Sequence, residues 1–286
     1  MQHDFLFAVL LPIALAVIML GLGLSLTADD FRRVVRFPRA VVVGLACQLL
    51  ILPAVCLFLA SSFDLEPELA VGMMLLAASP GGVAANLMSH LARGDVALNI
   101  TLTALSSVVS IVTLPFIVML AMARFMGEGR SIPLPFDKVL QVFSVVLVPV
   151  MIGMVVRWRA PGAAARLQRP VKILSAGFLL ALVVASVIIQ RDKAVGFVVS
   201  VGVPVLLFNL ASLFVGYVVP RLARVDRRQA IAIGMEIGVH NAAIAITIAS
   251  SPMLLGSPAM AIPAAVYSVF MFFTAGAFGY LVNRFG

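Results

Sequence analysis

AIAIGMEIGVHNAAIAITIA, residues 230–249, is long enough to cross a bilayer and almost wholly apolar, yet Glu236, His240 and Asn241 stand at its middle. A helix needs about 20 apolar residues to span hydrocarbon, and a charge held at that depth is costly unless it is paired. Composition decides which solvent surrounds the glutamate. Hydrophobic residues make up 63% of the chain and charged residues only 11%, against roughly a quarter charged in soluble domains. The chain reads as an integral membrane protein, and the lipid bilayer is its first partner.

Working outward, the apolar runs divide at charged or Pro/Gly-marked breaks into nine segments, at about 5–27, 39–60, 68–91, 96–123, 136–157, 170–190, 194–219, 228–250 and 257–283. A membrane barrel would alternate apolar and polar residues in short strands. VSVGVPVLLFNLASLFVGYVV, residues 199–219, does not. The expected fold class is therefore an all-α polytopic membrane protein with nine transmembrane helices. The first segment has only His3 and Asp4 ahead of its apolar run, with no Lys or Arg, so it reads as a retained helix and not a signal peptide. Cys47 and Cys56 fall on opposite faces of one helix and cannot pair with each other.

Fifteen of the 20 Lys and Arg residues follow segments one, three, five, seven and nine, among them Arg32, Arg93, Arg157, Arg221 and Arg284. The positive-inside rule then places the amino terminus outside and the carboxyl terminus in the cytoplasm, in a multi-pass protein of the inner membrane. The net charge of +8 is mostly this topology signal. Arginines scattered over short loops suit nucleic acid poorly, and no nucleic-acid partner is expected.

Segments three and eight break the rules for a membrane helix. Ser79-Pro80-Gly81-Gly82 falls at the centre of segment three, where proline removes a donor and glycine weakens the helix. Glu236-Ile237-Gly238 sits at the same depth in segment eight. Unwound backbone in a membrane is tolerated only when it is buried in protein or lines a cavity. The two segments also correspond by position: Gln48 precedes Pro80 by 32 residues, and Asn209 precedes His240 by 31. Two repeats in register, each with an interrupted helix, are the mark of secondary transporters with a site near the midplane. With nine segments the first repeat lacks its opening helix, which keeps the repeats inverted in topology.

SPGGVAANLMSHLARGDVALNITLTALSS (79–107) and MEIGVHNAAIAI (235–246), with the opening LGLGLSLTADDFRRVVRFPRAVVVGLACQ (20–48), resemble the bile acid:sodium symporter family in its nine-helix form. The resemblance implies a panel domain (about 5–27, 136–157 and 170–190) beside a core domain (about 39–123 and 194–283). In the core, helices three and eight would be broken and would cross, with sodium bound around the crossing and an organic anion in the adjoining cleft. It maps sodium ligands onto Gln48, Asn86, Asn99, Thr103, Glu236 and His240, with backbone carbonyls of Ile237 and Val239. It also places Pro80, Gly81, Gly82, Val83, Asn241, Met271 and Phe272 around the substrate. No cofactor is implied beyond sodium as the coupling ion.

The residues themselves support part of this set. Sodium takes oxygen ligands, Asn99 and Thr103 share a helix face at i and i+4, and Glu236 is the one acidic residue deep within a segment. His240 departs from the family, which carries glutamine there, because imidazole offers no oxygen. Sodium coupling stays open beside two alternatives, a proton-coupled or a sodium-independent organic anion carrier using Glu236 and His240, which share a face if the helix continues through Gly238. An intramembrane enzyme is the remote alternative, since Glu236 and His240 lack a nucleophile or further metal ligands. Val83, Met271 and Phe272 make the expected pocket apolar, while half-helix amino ends favour an anion. A steroid-like acid and a small carboxylate both fit, and the oligomeric state stays open, with a monomer allowed. Asp29-Asp30 beside Arg32 and Arg33 reads as a solvated loop, and His90 as an interfacial residue.

Overall fold

The computed structural model describes residues 13, 16–127, 136–171, 173, 174, 177, 191–251 and 254–285. The start of the first expected segment and most of 170–190 lie outside them. The fold is all-helical, and no strand forms among the described residues. Among the described residues four helices are long and apolar enough to cross a membrane: Pro38–Ser62, Val96–Met126, Val199–Leu222 and Pro258–Arg284.

In chain order the helices are α1 (Ala16–Ser25), α2 (Ala28–Arg32), α3 (Pro38–Ser62), α4 (Pro67–Ala78), α5 (Val83–Leu91) and α6 (Val96–Met126). There follow α7 (Phe136–Arg159), α8 (161–171), α9 (Arg191–Leu222), α10 (Arg227–Gly238), α11 (Ala242–Ser250) and α12 (Pro258–Phe285). Local chemistry sets several of these starts. Pro38 and Pro67 open α3 and α4, where a missing amide costs nothing. Asp95 caps α6 by accepting from the Leu98 amide at 3.1 Å, and Asp226 caps α10 by accepting from Arg228 at 2.8 Å.

The stretches read as segments three and eight each fold as two short helices. Segment three becomes α4 and α5, with Ser79 extended (φ −71°, ψ 143°) as the residue before a proline favours. Segment eight becomes α10 and α11, parted at Val239 (φ −120°, ψ 77°). Both α4 and α10 are enclosed: α4 packs on α3, α6 and α12, and α10 packs on α5, α6 and α9. Their freed backbone groups are therefore shielded from lipid. Elsewhere small residues bring helices close. A Cβ on Gly23 would overlap the Val150 backbone and one on Gly153 would overlap α1, so α1 and α7 meet almost backbone to backbone.

Asp30 corrects the reading of its dipeptide as a solvated loop. Asp29 is exposed, but Asp30 is buried on α2, where it accepts from the Thr27 amide at 2.8 Å and the Thr27 hydroxyl at 2.7 Å and pairs with Arg33 at 2.9 Å. The two carboxylates thus act separately, one of them as a helix-start acceptor. His90 is exposed at the end of α5.

Candidate functional site

The two interruptions meet. Gly82 N–H donates to Val239 O at 3.1 Å and Asn241 N–H donates to Pro80 O at 2.9 Å, so the unwound segments run antiparallel with Gly81 opposite His240. Each amide that precedes an interruption holds the end of the helix that follows it. Gln48 Nε2 donates to Ser79 O at 2.8 Å, and Asn209 Nδ2 donates to Gly238 O at 2.9 Å. The halves of the chain thus repeat one another at the level of single hydrogen bonds. Gln48 lies in a π turn, Cys47–Ile51, just before Pro53, which has no amide to return to the preceding turn.

Glu236 is 1% exposed and sits against this crossing. Thr103 Oγ1 donates to its Oε2 at 2.6 Å and Ser106 Oγ to its Oε1 at 3.2 Å. A Cβ on Gly81 would coincide with the carboxylate, so the group rests directly on the unwound backbone. One turn away, Asn99 Nδ2 donates to Ala232 O at 2.7 Å, which fixes α6 along α10. No Lys or Arg pairs with Glu236 among the described residues. Three buried amide oxygens, Gln48 Oε1, Asn86 Oδ1 and Asn99 Oδ1, have no hydrogen-bond partner among those residues. Buried acceptors with no donor, and a buried carboxylate with no cationic side chain, are what a bound cation would complete. No cluster of three or more His, Cys, Asp or Glu residues occurs among the described residues, so these oxygens suit a hard monovalent or alkaline-earth ion better than a transition metal.

His240 stands apart from Glu236. Because α10 stops at Gly238, the two do not continue along one helical face, and His240 Nδ1 lies 3.0 Å from Ser79 O, the carbonyl that Gln48 also meets. Its ring stacks on Phe208 at 5.8 Å between centroids and meets Tyr267 edge-on at 5.4 Å, while Nε2 has no partner among the described residues. Residues 12–197 match the model of the Sodium Bile acid symporter family. The chain belongs to that family. It is 31% identical over 259 residues to the "Uncharacterized sodium-dependent transporter YocS" of Bacillus subtilis (strain 168), covering 91% of this chain and 78% of that one. It is 28% identical to the "Probable sodium/metabolite cotransporter BASS1, chloroplastic" of Oryza sativa subsp. japonica, with 88% of this chain matched to 60% of the rice protein. The match to the "Ileal sodium/bile acid cotransporter" of Homo sapiens is 25% identical over 238 residues, 83% of this chain and 68% of the human one.

In this symporter-family chain, a cleft beside the crossing has Met19 of α1, Pro80, Ser107 and Ser110 of α6, Val150 of α7 and Ile244 of α11 among its walls. Of the residues anticipated for the substrate, Pro80 borders it. Gly81, Gly82 and Asn241 lie in the crossing, where Asn241 Oδ1 accepts from the Ile244 amide at 3.4 Å. Met271 and Phe272 sit on α12, the first buried and the second 42% exposed, and neither borders this cleft. Val83 opens α5. Of the cation set, Ile237 and Val239 are buried, and Val239 O already accepts from Gly82. Three side chains at this site went unread in the sequence. Ser106 shares the Asn99 and Thr103 face at i+7 and i+3, which spacing alone would have offered. Asn209 was seen as a repeat marker without its role, and Tyr267, whose hydroxyl donates to Gly238 O at 2.9 Å, carries no local signal.

Proposed function

We propose that this protein is a secondary active transporter that moves an organic anion, bile-acid-like or a small carboxylate, across the inner membrane in symport with sodium, and that it is not an enzyme. The observation that carries this reading is the crossing itself: two interrupted helices joined back to back and, among the described residues, a buried carboxylate with no cationic side chain and three amide oxygens left without donors. Sodium coordinated by Glu236, Thr103, Asn99 and Asn86 would neutralise the carboxylate and satisfy two of those oxygens. Gln48, with the carbonyls of Ile237 and Val239, would offer oxygens to a second ion. Around this core of inverted repeats, α1 and α7 form the panel, and the substrate enters the cleft between them and α6. The likeness to transporters of metabolites and bile acids supports the anion class. Purified protein in liposomes should accumulate such an anion against its gradient only when sodium is higher outside; uptake that merely equilibrates would favour a passive pore.

A second reading has one observation in its favour. His240 brings no oxygen to the second set and spends Nδ1 on Ser79 O. Coupling there would pass to a proton, or be absent, leaving one sodium per cycle. His240→Gln discriminates the two. A glutamine amide can keep the bond to Ser79 O and add an oxygen, and one further ligand worth ~1.4 kcal/mol lowers half-saturating sodium by roughly tenfold. Sodium titration of thermal stability for both proteins, repeated from acidic to mildly alkaline pH, should show that shift and a loss of pH response. Superimposed titrations would mark His240 as a packing residue between Phe208 and Tyr267.

A further inference from the structure

A second and larger cavity, about 700 Å³, opens where α1 passes into α2 and α7 into α8. Leu26, Asp29 and Arg32 line it from one side and Met154, Arg157 and Trp158 from the other. None of its walls comes from α4, α5, α10 or α11, so it lies away from the crossing, and although it runs along the same α1 and α7 it shares no wall residue with the cleft. Its position along α7 is the membrane boundary, since the apolar run of that helix ends at Arg157-Trp158-Arg159.

The charges in and around it do not balance. Arg32 meets Asp29 at 3.4 Å, but both side chains are highly exposed, at 81% and 72%, and a pair so placed is weakly held. Arg157 is half-buried and has no carboxylate partner among the described residues. Arg159 lies over the Trp158 ring, 5.7 Å from its centroid, which adds a third guanidinium at the rim. Asp30, the other nearby carboxylate, is already engaged by Thr27 and Arg33. Two positive charges are thus left over above an apolar floor of Leu26 and Met154. Trp158, 75% exposed, adds the ring that favours the headgroup level of a bilayer.

We propose that this cavity holds the phosphate headgroup of an anionic phospholipid. Arg157 and Arg32 take the phosphate, Leu26 and Met154 receive the glycerol and upper acyl chains, and Trp158 flanks the headgroup. A soluble phosphate would use the arginines but would have no need of the apolar floor or the exposed indole. Basic pockets between helices on the arginine-rich side of a membrane protein are of this kind. The assignment requires only that the chain sits in a bilayer, and it stands whether or not the transport reading does.

Trp158 is the chain's single tryptophan, so its fluorescence reports on this cavity alone. Purified protein in mixed micelles should be titrated with brominated phosphatidylglycerol and, separately, with brominated phosphatidylcholine. Quenching by the anionic lipid should occur at a lower mole fraction, and the preference should fall roughly fivefold for each arginine removed in Arg32→Ala and Arg157→Ala. Arg157→Lys, which keeps the charge, should retain most of it and serves as the folding control. Equal quenching by the two lipids, or a preference untouched by both alanine variants, would overturn the proposal. Displacement of the anionic lipid by millimolar glycerol 3-phosphate would also overturn it, in favour of a site for soluble phosphates.

Discussion

Glu236→Gln should leave the protein folded and inserted while abolishing sodium-driven, concentrative uptake. The substitution keeps size and shape, and an amide oxygen can still accept from Thr103 Oγ1, which now lies 2.6 Å from the carboxylate. What it removes is charge. Taking one partner from a buried charged pair costs roughly 2–5 kcal/mol, a loss of cation affinity of about thirtyfold to several thousandfold. The variant should therefore elute as wild type by size exclusion and show no dependence on sodium in liposome uptake. It should be at least as stable as the wild type in the absence of sodium, because an uncompensated carboxylate no longer has to be buried. Sodium-dependent accumulation at the wild-type rate would remove Glu236 from the coupling site.

The two glycines of the crossing should behave differently. A Cβ on Gly81 lands on the Glu236 carboxylate, so Gly81→Ala must push the carboxylate off Thr103 and Ser106 or part the antiparallel contact with His240. A Cβ on Gly82 meets nothing nearer than His240 O at 3.6 Å, an ordinary contact, and its φ of −101° is open to any residue. Overpacking at a tight site costs roughly 1–3 kcal/mol. Gly81→Ala should lose uptake about as completely as Glu236→Gln, and Gly82→Ala should transport near the wild-type rate. Measuring uptake and melting temperature for both separates function from folding. Equal behaviour of the two variants would mean that the carboxylate does not rest on Gly81.

The sequence treated those glycines as equivalent, because SPGG announces an unwound segment without saying which residue faces the partner helix. The same boundary recurs across the site. Membrane embedding, the all-helical class and the family could be read from composition, run length and two motifs, since each is a property of one continuous stretch. Thr103 was legible beside Asn99 because a helix repeats its face every three or four residues. The parting of His240 from Glu236 was not, because a shared face depended on a helix continuing through Gly238, and the chain unwinds there to meet Ser79–Gly82 from the other half. Tyr267 and Phe208, which enclose His240, carry no local signal of that role in the sequence. Contacts between elements far apart in sequence set those positions, and no spacing rule reaches across them.

Cation binding at the crossing is the claim on which the rest depends, and it can be tested without knowing the substrate. The melting temperature of the purified wild-type protein should be followed from low to high sodium chloride and, at matched ionic strength, potassium chloride. A ligand that binds only the folded state stabilises it by about RT ln(1 + [L]/Kd). The account predicts a sodium-specific rise that saturates and is absent in Glu236→Gln. The same melting temperature in sodium and potassium at every concentration would contradict it.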